Sequence, residues 1–292
     1  MENNTEIAQT IINTINTIFE NLFSSIDNNL YTILDKIVFI DSNILTDKNF
    51  ENIFGTSTSS GLLLVANSLL IGFIIYYSIS YLISHITYNK VDKPFSFIFK
   101  MVIFGICMNS SFFIIELFLN LNYNISFAIK SIGESLFNCN ISFAELINNI
   151  NSNITINTSS INVFSLDGLI KGTLSLSLIS LVFSYSLRYI IIKIFILLSP
   201  FSFLSLVLGS TTWFFKSWAK NLFSLLFIQI IVTLVLLILF SLDFSSSDLF
   251  NKFIYIGGIY ALIRANSFVR EFIGGVSTNV SQSVHNFTNF KS

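Results

Sequence analysis

The chain has 292 residues, of which 53% are hydrophobic and only 11% are charged, and its formal net charge is -1. Because a soluble domain carries roughly 25% charged residues, this composition excludes an ordinary soluble enzyme. The small net charge provides no basic field that would attract nucleic acid. Together with a mean hydropathy of +0.74, these values predict an all-α integral membrane protein.

The first 40 residues have the pattern of an amphipathic helix. Isoleucine and leucine recur every three or four residues from Ile7 to Ile37, and the other face carries Glu, Asp, Asn, Thr and Ser. The pattern fits one helix or two helices broken near 27–29, and its apolar face either packs on neighbouring chain or lies on a leaflet. We expect residues 1–61, which are this helix and a polar linker, to lie on the outer side of the membrane.

Five segments are apolar enough to cross a bilayer, which takes about 20 residues. They make up a polytopic domain over residues 62–273, with a long outer loop over 122–168 and a cytosolic tail over 274–292. The third segment is unusually long, and its first helix breaker is Pro200, so one helix is expected there and six spans are the alternative. The expected spans are 62–84, 97–121, 170–198, 222–242 and 249–269.

The distribution of Lys and Arg predicts the orientation. With the N-terminus outside and the C-terminus inside, inner segments hold 10 of the 15 cations and outer segments hold 5. The two short loops expected inside, 85–100 and 209–221, carry five of them. The positive-inside rule therefore predicts a multi-pass membrane protein with this orientation.

The third span carries a polar row along one face. Its members recur at steps of three and four residues and end in a cation. Small and hydroxyl side chains allow close helix packing and hydrogen bonds between helices, and they are equally suited to lining a water-filled passage. Both interpretations remain open for the row, which consists of Thr173, Ser177, Ser180, Ser184 and Arg188.

Other polar residues lie inside the expected spans. Glu116 is placed near the outer end of the second span, where it either couples to an ion or simply pairs or reaches the interface. Gln229 is the strongly polar residue of the fourth span and is expected to hydrogen-bond between helices. Lys252 and Arg264 in the last span are expected to reach towards opposite interfaces.

The tract after the third span combines a helix break with aromatic and basic residues. Pro200 ends the helix, and Trp213, Lys216, Trp218 and Lys220 mark the inner interface, where such residues anchor a protein. The same residues also suit docking of a cytosolic partner. On a helix, Trp213 lies beside the stripe formed by the two lysines, whereas Trp218 faces lipid or the proline bend.

The stretch over about 180–245 resembles the polytopic TrbL family. The resemblance rests on Arg188-Tyr189, the apolar run to Ser199-Pro200, a threonine before the aromatic–basic stretch, Trp218 and the strong span that follows. It implies an oligomeric inner-membrane subunit of type IV secretion and conjugation machines. Such a subunit contacts membrane lipid, other membrane subunits and a secretion ATPase, and it helps relaxase-linked single-stranded DNA or protein to cross. It implies no enzyme activity and no cofactor.

The sequence was also searched for motifs of other classes. It contains no GxxxxGK[ST] phosphate loop and no HExxH motif, and its two histidines and two cysteines show no metal-ligand spacing. A small-molecule or ion transporter is the main alternative. Transporters often pair interrupted helices in two halves, and here Pro200 interrupts one apolar tract without a counterpart.

Overall fold

A computed structural model describes residues 2–55, 61–87, 93–155, 165–242 and 249–273. The regular elements within these ranges are helices, two of them short 3-10 turns at Ser42–Leu45 and Gly209–Thr211. The expected tail, 274–292, lies outside the described residues. The α-helices are α1 Glu2–Val38, α2 Lys48–Phe54, α3 Leu62–Thr87, α4 Pro94–Asn109, α5 Ser111–Phe137, α6 Phe143–Thr155, α7 Leu166–Leu197, α8 Ser199–Leu204, α9 Thr212–Phe240 and α10 Leu249–Ile273.

Four helical segments of the described chain are long and apolar enough to cross a membrane, and α4 is a shorter apolar helix. This confirms the predicted class of an all-α, multi-pass membrane protein. The last predicted span forms as α10 but is not among the four. The four segments are Leu62–Ile86, Ser111–Phe137, Gly168–Leu197 and Gly209–Phe240.

The second predicted span, 97–121, was placed wrongly. The helix is interrupted at Ser110, where the side chain of Asn109 donates to the Gly105 carbonyl and pairs with Asn67 of α3. The next helix, α5, then continues to Phe137 and ends at Asn138, which has a positive φ of 53°. The first part of the predicted outer loop 122–168 is therefore the second half of α5, and α6 occupies much of the rest.

The predicted long helix over 170–198 is confirmed as α7. It ends at Leu197, and Pro200 lies in the first turn of α8, where its missing N–H and fixed φ are tolerated. The predicted inner loop 209–221 is mostly helical, because α9 already begins at Thr212. The aromatic and basic residues of this tract therefore have fixed positions on a helix.

Contacts between side chains fix the relative directions of the main helices. Phe118 and Phe223 lie edge to face with ring centroids 5.0 Å apart, and a Cβ at Gly133 would come within 2.5 Å of Leu237 Cδ1. Because both pairs advance along the chain together, α5 and α9 run parallel. Trp218 bonds to the Phe195 carbonyl, and Arg188, seven residues before Phe195, bonds to that of Leu225, seven residues after Trp218, so α7 runs antiparallel to α9.

The N-terminal helix is continuous and packs mainly on α7 and α6. Among the side chains of α1 that the structure describes, Leu34 and Val38 are buried, whereas Ile18 and Ile33 of the predicted apolar face are about half exposed. Asp35 accepts hydrogen bonds from the first main-chain N–H groups of α6, with Phe143 N at 3.1 Å. The C-terminal end of α1 is thus part of the bundle.

Residues 1–61 were predicted to lie on the outer side of the membrane, opposite to Lys193, yet part of the linker contacts Lys193. The Asp47 carboxylate lies 3.8 Å from Lys193 Nζ, and the Phe54 ring contacts Phe112 at the start of α5. The part of the linker from Asp47 to Phe54, the end of α7 and the start of α5 therefore share one end of the bundle. The count of cations missed this because it treated α1 and the linker as lying outside the spans.

Candidate functional site

Arg188 is completely buried in the bundle. Its Nε donates to the main-chain oxygen of Leu225 on α9 at 2.8 Å, and its Nη1 donates to that of Val38 at 3.0 Å. The Tyr185 ring lies one turn earlier on α7, with its centroid 5.8 Å from the guanidinium carbon. One side chain therefore joins α1, α7 and α9.

The position of the guanidinium suits the end of α1. Val38 is the last residue of that helix, and the last carbonyls of a helix lack partners within it. These carbonyls also carry the negative end of the helix dipole, which favours a cation. Arg188 therefore satisfies a main-chain oxygen that would otherwise be unpaired and buried.

The charge of Arg188 is compensated only by dipoles within the described part of the chain. Its Nη2 makes no hydrogen bond there, and no described carboxylate forms an ion pair with it. A cation at membrane depth costs about 3 kcal/mol on insertion scales, so such residues are rare and usually functional. Arg188 is accordingly the centre of the candidate site.

Two further hydrogen bonds connect α7 to α10 beside Arg188. The Tyr185 hydroxyl donates to the Leu262 carbonyl at 3.0 Å, and Asn266 Nδ2 donates to Ser184 Oγ at 2.8 Å. Gln229 of α9 accepts from Ile40 N at 3.1 Å, which confirms its expected role between chain segments. The site is therefore a layer of polar contacts that joins α1, α7, α9 and α10.

The predicted polar row of α7 does not share one environment. Ser184 and Arg188 are buried, Ser177 is half-buried, and Thr173 and Ser180 are exposed. The row lies on one face, and its members Ser184 and Arg188 bond to Asn266 of α10 and to Val38 at the end of α1. Ser184 and Arg188 therefore belong to helix packing, whereas Thr173 and Ser180 lie on the surface of the single chain.

The structure separates the two tryptophans of the aromatic–basic tract. Trp213 is 66% exposed, and Lys216 and Lys220 are exposed with it. Trp218 is buried, and its Nε1 donates to the Phe195 carbonyl at 2.7 Å. Its ring contacts Phe203 of α8, which places it against the buried Pro200 bend rather than against lipid.

Two other sequence interpretations change. Glu116 is half-buried in the second turn of α5, close to the Phe118–Phe223 contact, so it lies near the beginning of a span and at the same end as Phe112. Lys252 is buried rather than exposed, whereas Arg264 is exposed and lies over the Tyr260 ring.

Several contacts of the site were missed by sequence reasoning. Lys193 is close to Asp47 and to the Phe50 ring, yet these residues lie far apart in the chain. Ile40 and Val38 contribute main-chain atoms, so their side chains carry no signal of the contact. Among these missed residues, Asn266 could have been found from the sequence, since it is a polar residue within an apolar helix.

Comparison with known families and curated proteins identified no relative of this chain. No family model matches the chain, and no curated protein is significantly similar to it.

Proposed function

We propose that this protein is a membrane subunit of a bacterial type IV secretion machine of the TrbL kind, helping relaxase-linked single-stranded DNA or protein to cross the cytoplasmic membrane. One observation carries the proposal: the residues of the resemblance are neighbours. Arg188 bonds to α9, and Trp218 bonds to the end of α7 and contacts Phe203 beside the Pro200 bend. The matched stretch is therefore one packed unit, α7–α8–α9.

An exposed surface at the start of α9 supports a protein partner for this unit. Trp213, Lys216 and Lys220 are exposed and share one helix face. Tryptophan is enriched at binding hot spots because it offers a large and rigid contact area. We propose that this surface docks a secretion ATPase or its membrane adaptor.

A mating assay tests the proposed function. The gene is deleted from a strain that carries the corresponding conjugative element, and transfer of a selectable marker is counted with and without the wild-type gene in trans. We expect transfer to be lost on deletion and restored by complementation. Unchanged transfer in the deletion strain would contradict the secretion function and favour the transporter alternative, which uptake measurements on the same strain would then address.

A double variant tests the docking surface. Trp213→Ala with Lys216→Glu removes an exposed aromatic and reverses a neighbouring charge, so co-purification of the secretion ATPase is expected to be lost at unchanged membrane level. Tyr260→Ala with Arg264→Glu alters a comparable exposed aromatic–cation pair on α10 and serves as the matched control. Retained co-purification in the first variant would leave the tract as an interfacial anchor only.

A further inference from the structure

A polar groove opens beside the end of α1. It has a volume of about 270 Å³ and lies between the 3-10 turn and α7. Lys36, Asp41, Asn43 and Tyr189 supply its polar surface, and its apolar surface includes Phe39 and Ile44. Most of its lining comes from residues 36–44, at the end of α1 and in the 3-10 turn, and only Tyr189 belongs to the α7–α8–α9 unit on which the proposed function rests.

The depth of this groove follows from α9. The last cation of α9 is Lys220, and the twenty residues from 221 to 240 contain no charged side chain. At 1.5 Å per residue they span about 30 Å, the thickness of the hydrocarbon core. Gln229 is the ninth of these residues, and it bonds to Ile40 N in the wall of the groove. The end of the groove formed by Ile40 and the adjacent Asp41 therefore lies at hydrocarbon depth.

Polar side chains at this depth are not compatible with lipid tails. Asp41 and Asn43 are too short to reach a headgroup region, unlike a lysine. Within the described part of the chain, the Asp41 carboxylate accepts from the main-chain and side-chain nitrogens of Asn43 alone, at 2.9 and 2.7 Å. A charged residue facing hydrocarbon costs about 3 kcal/mol, so the groove must be covered by something polar.

The charges of the groove indicate what covers it. Lys36 and Asp41 line the same groove, and among the described residues neither forms an ion pair, with the other or elsewhere. A surface that presents one cation and one anion is complementary to a second copy of itself. The half-exposed Ile33, one turn before Ile37 and Lys36, adds apolar area beside the charges.

We propose that this groove is the contact surface between copies of this chain in the membrane, with Lys36 of one copy paired to Asp41 of its neighbour. The pairing satisfies both charges away from lipid and fixes the register of the two copies. It does not depend on what the assembly transports.

A charge swap in the full-length protein tests the pairing. Lys36→Asp places two acids opposite each other, and Asp41→Lys places two cations, so each single variant is expected to lower the oligomeric fraction at least about tenfold. The double variant Lys36→Asp/Asp41→Lys restores opposite charges and is expected to recover assembly. The measurement is native mass spectrometry or light scattering of the protein in detergent and in nanodiscs.

Two controls separate this contact from a folding defect. Lys48→Asp changes an exposed lysine on α2, outside the groove, and is expected to assemble like the wild type. Co-expression of differently tagged Lys36→Asp and Asp41→Lys chains should give mixed oligomers, because only the mixed contact joins opposite charges.

Three outcomes would overturn the proposal. In the first, the single variants assemble like the wild type. In the second, the double variant stays as dissociated as the single variants. The third is free labelling of Asn43→Cys by a membrane-impermeant thiol reagent in the assembled protein, with Cys107 and Cys139 replaced by serine. That labelling would make the groove part of an aqueous passage instead of a subunit contact.

Discussion

The guanidinium of Arg188 donates to the main-chain oxygen of Val38, a residue 150 positions earlier in the chain. The same guanidinium holds the Leu225 carbonyl of α9. The end of the N-terminal helix is thereby fixed against two membrane-spanning helices through atoms that every amino acid possesses. Two residues further along the chain, Ile40 N donates to the side chain of Gln229, which is a second contact between this segment and α9.

Replacing Arg188 should loosen this connection. Arg188→Leu removes two hydrogen bonds from a charged donor, while the relief of a buried charge offsets part of the loss, so we expect a net destabilisation of about 2 kcal/mol. Thermal unfolding in detergent measures it. The control is Arg264→Leu, which removes an exposed arginine of α10 and should change stability little. Equal unfolding temperatures for the two variants would speak against a structural role of Arg188.

Replacing Gln229 tests the neighbouring bond. Gln229→Leu leaves Ile40 N buried without an acceptor, which costs about 1–3 kcal/mol. Thr233→Val is the matched control, because Thr233 lies one turn further along α9 and its hydroxyl bonds only to the Gln229 carbonyl of its own helix. Hydrogen exchange at the Ile40 amide should become faster in the first variant alone. Unchanged protection of that amide would exclude the bond.

The two tryptophans should respond differently to quenching. Trp218 is buried and bonded to Phe195, whereas Trp213 is 66% exposed. In Trp213→Phe, which retains Trp218, iodide should quench little of the fluorescence, and in Trp218→Phe it should quench most of it. We also expect Trp218→Phe to lower stability by about 1 kcal/mol through the lost hydrogen bond. Similar quenching in both variants would contradict the placement of Trp218.

The thiol of Cys139 should react with an altered pH dependence. Burial, with further contributions from the carboxylates of Glu145 and Glu134, raises the pKa of Cys139 above its ordinary value. Because the thiolate is the reactive form, alkylation of Cys139 should have its midpoint at a higher pH than that of an exposed cysteine. In a Cys107→Ser background, Glu145→Gln should move this midpoint to lower pH. A midpoint insensitive to Glu145→Gln would argue against the turn between α5 and α6.

The sequence predicted the helices better than the contacts between them. Apolar runs and Pro200 sufficed for α7 and for the part of α9 after residue 221, because these signals are local. The end of α5 was missed because Asn120, Asn122 and Asn124 suggest a loop, yet Asn122 is buried within α5 beside α9. Hydropathy cannot show that a polar residue is buried by another helix.

The candidate site was predictable only in part. Arg188 is conspicuous because a cation interrupts an apolar run, so its importance could be inferred from the sequence. Its partners could not be inferred, since both are main-chain oxygens. The groove at Lys36 and Asp41 was hidden for a related reason: its residues resemble an ordinary polar linker until the bond to Gln229 places them at membrane depth.

The side on which the linker lies can be tested by labelling. Thr46 precedes α2 and Ser210 precedes α9, both are exposed, and the contacts of Asp47 and Trp218 place them at one end of the bundle. Single cysteines at 46 and 210 should therefore react with an impermeant maleimide from the same side of sealed vesicles. Labelling from opposite sides would restore the placement that the cation count predicted.

A cross-link between the linker and α7 tests the central claim most directly. With Cys107 and Cys139 replaced by serine, Asp47→Cys and Lys193→Cys are combined in the full-length protein in native membranes and treated with a short thiol cross-linker. The account predicts an intramolecular link between positions 47 and 193, identified by peptide mass spectrometry, and no link from position 47 to a cysteine at Asn138 beyond the far end of α5. A link to position 138 and none to position 193 would contradict the account.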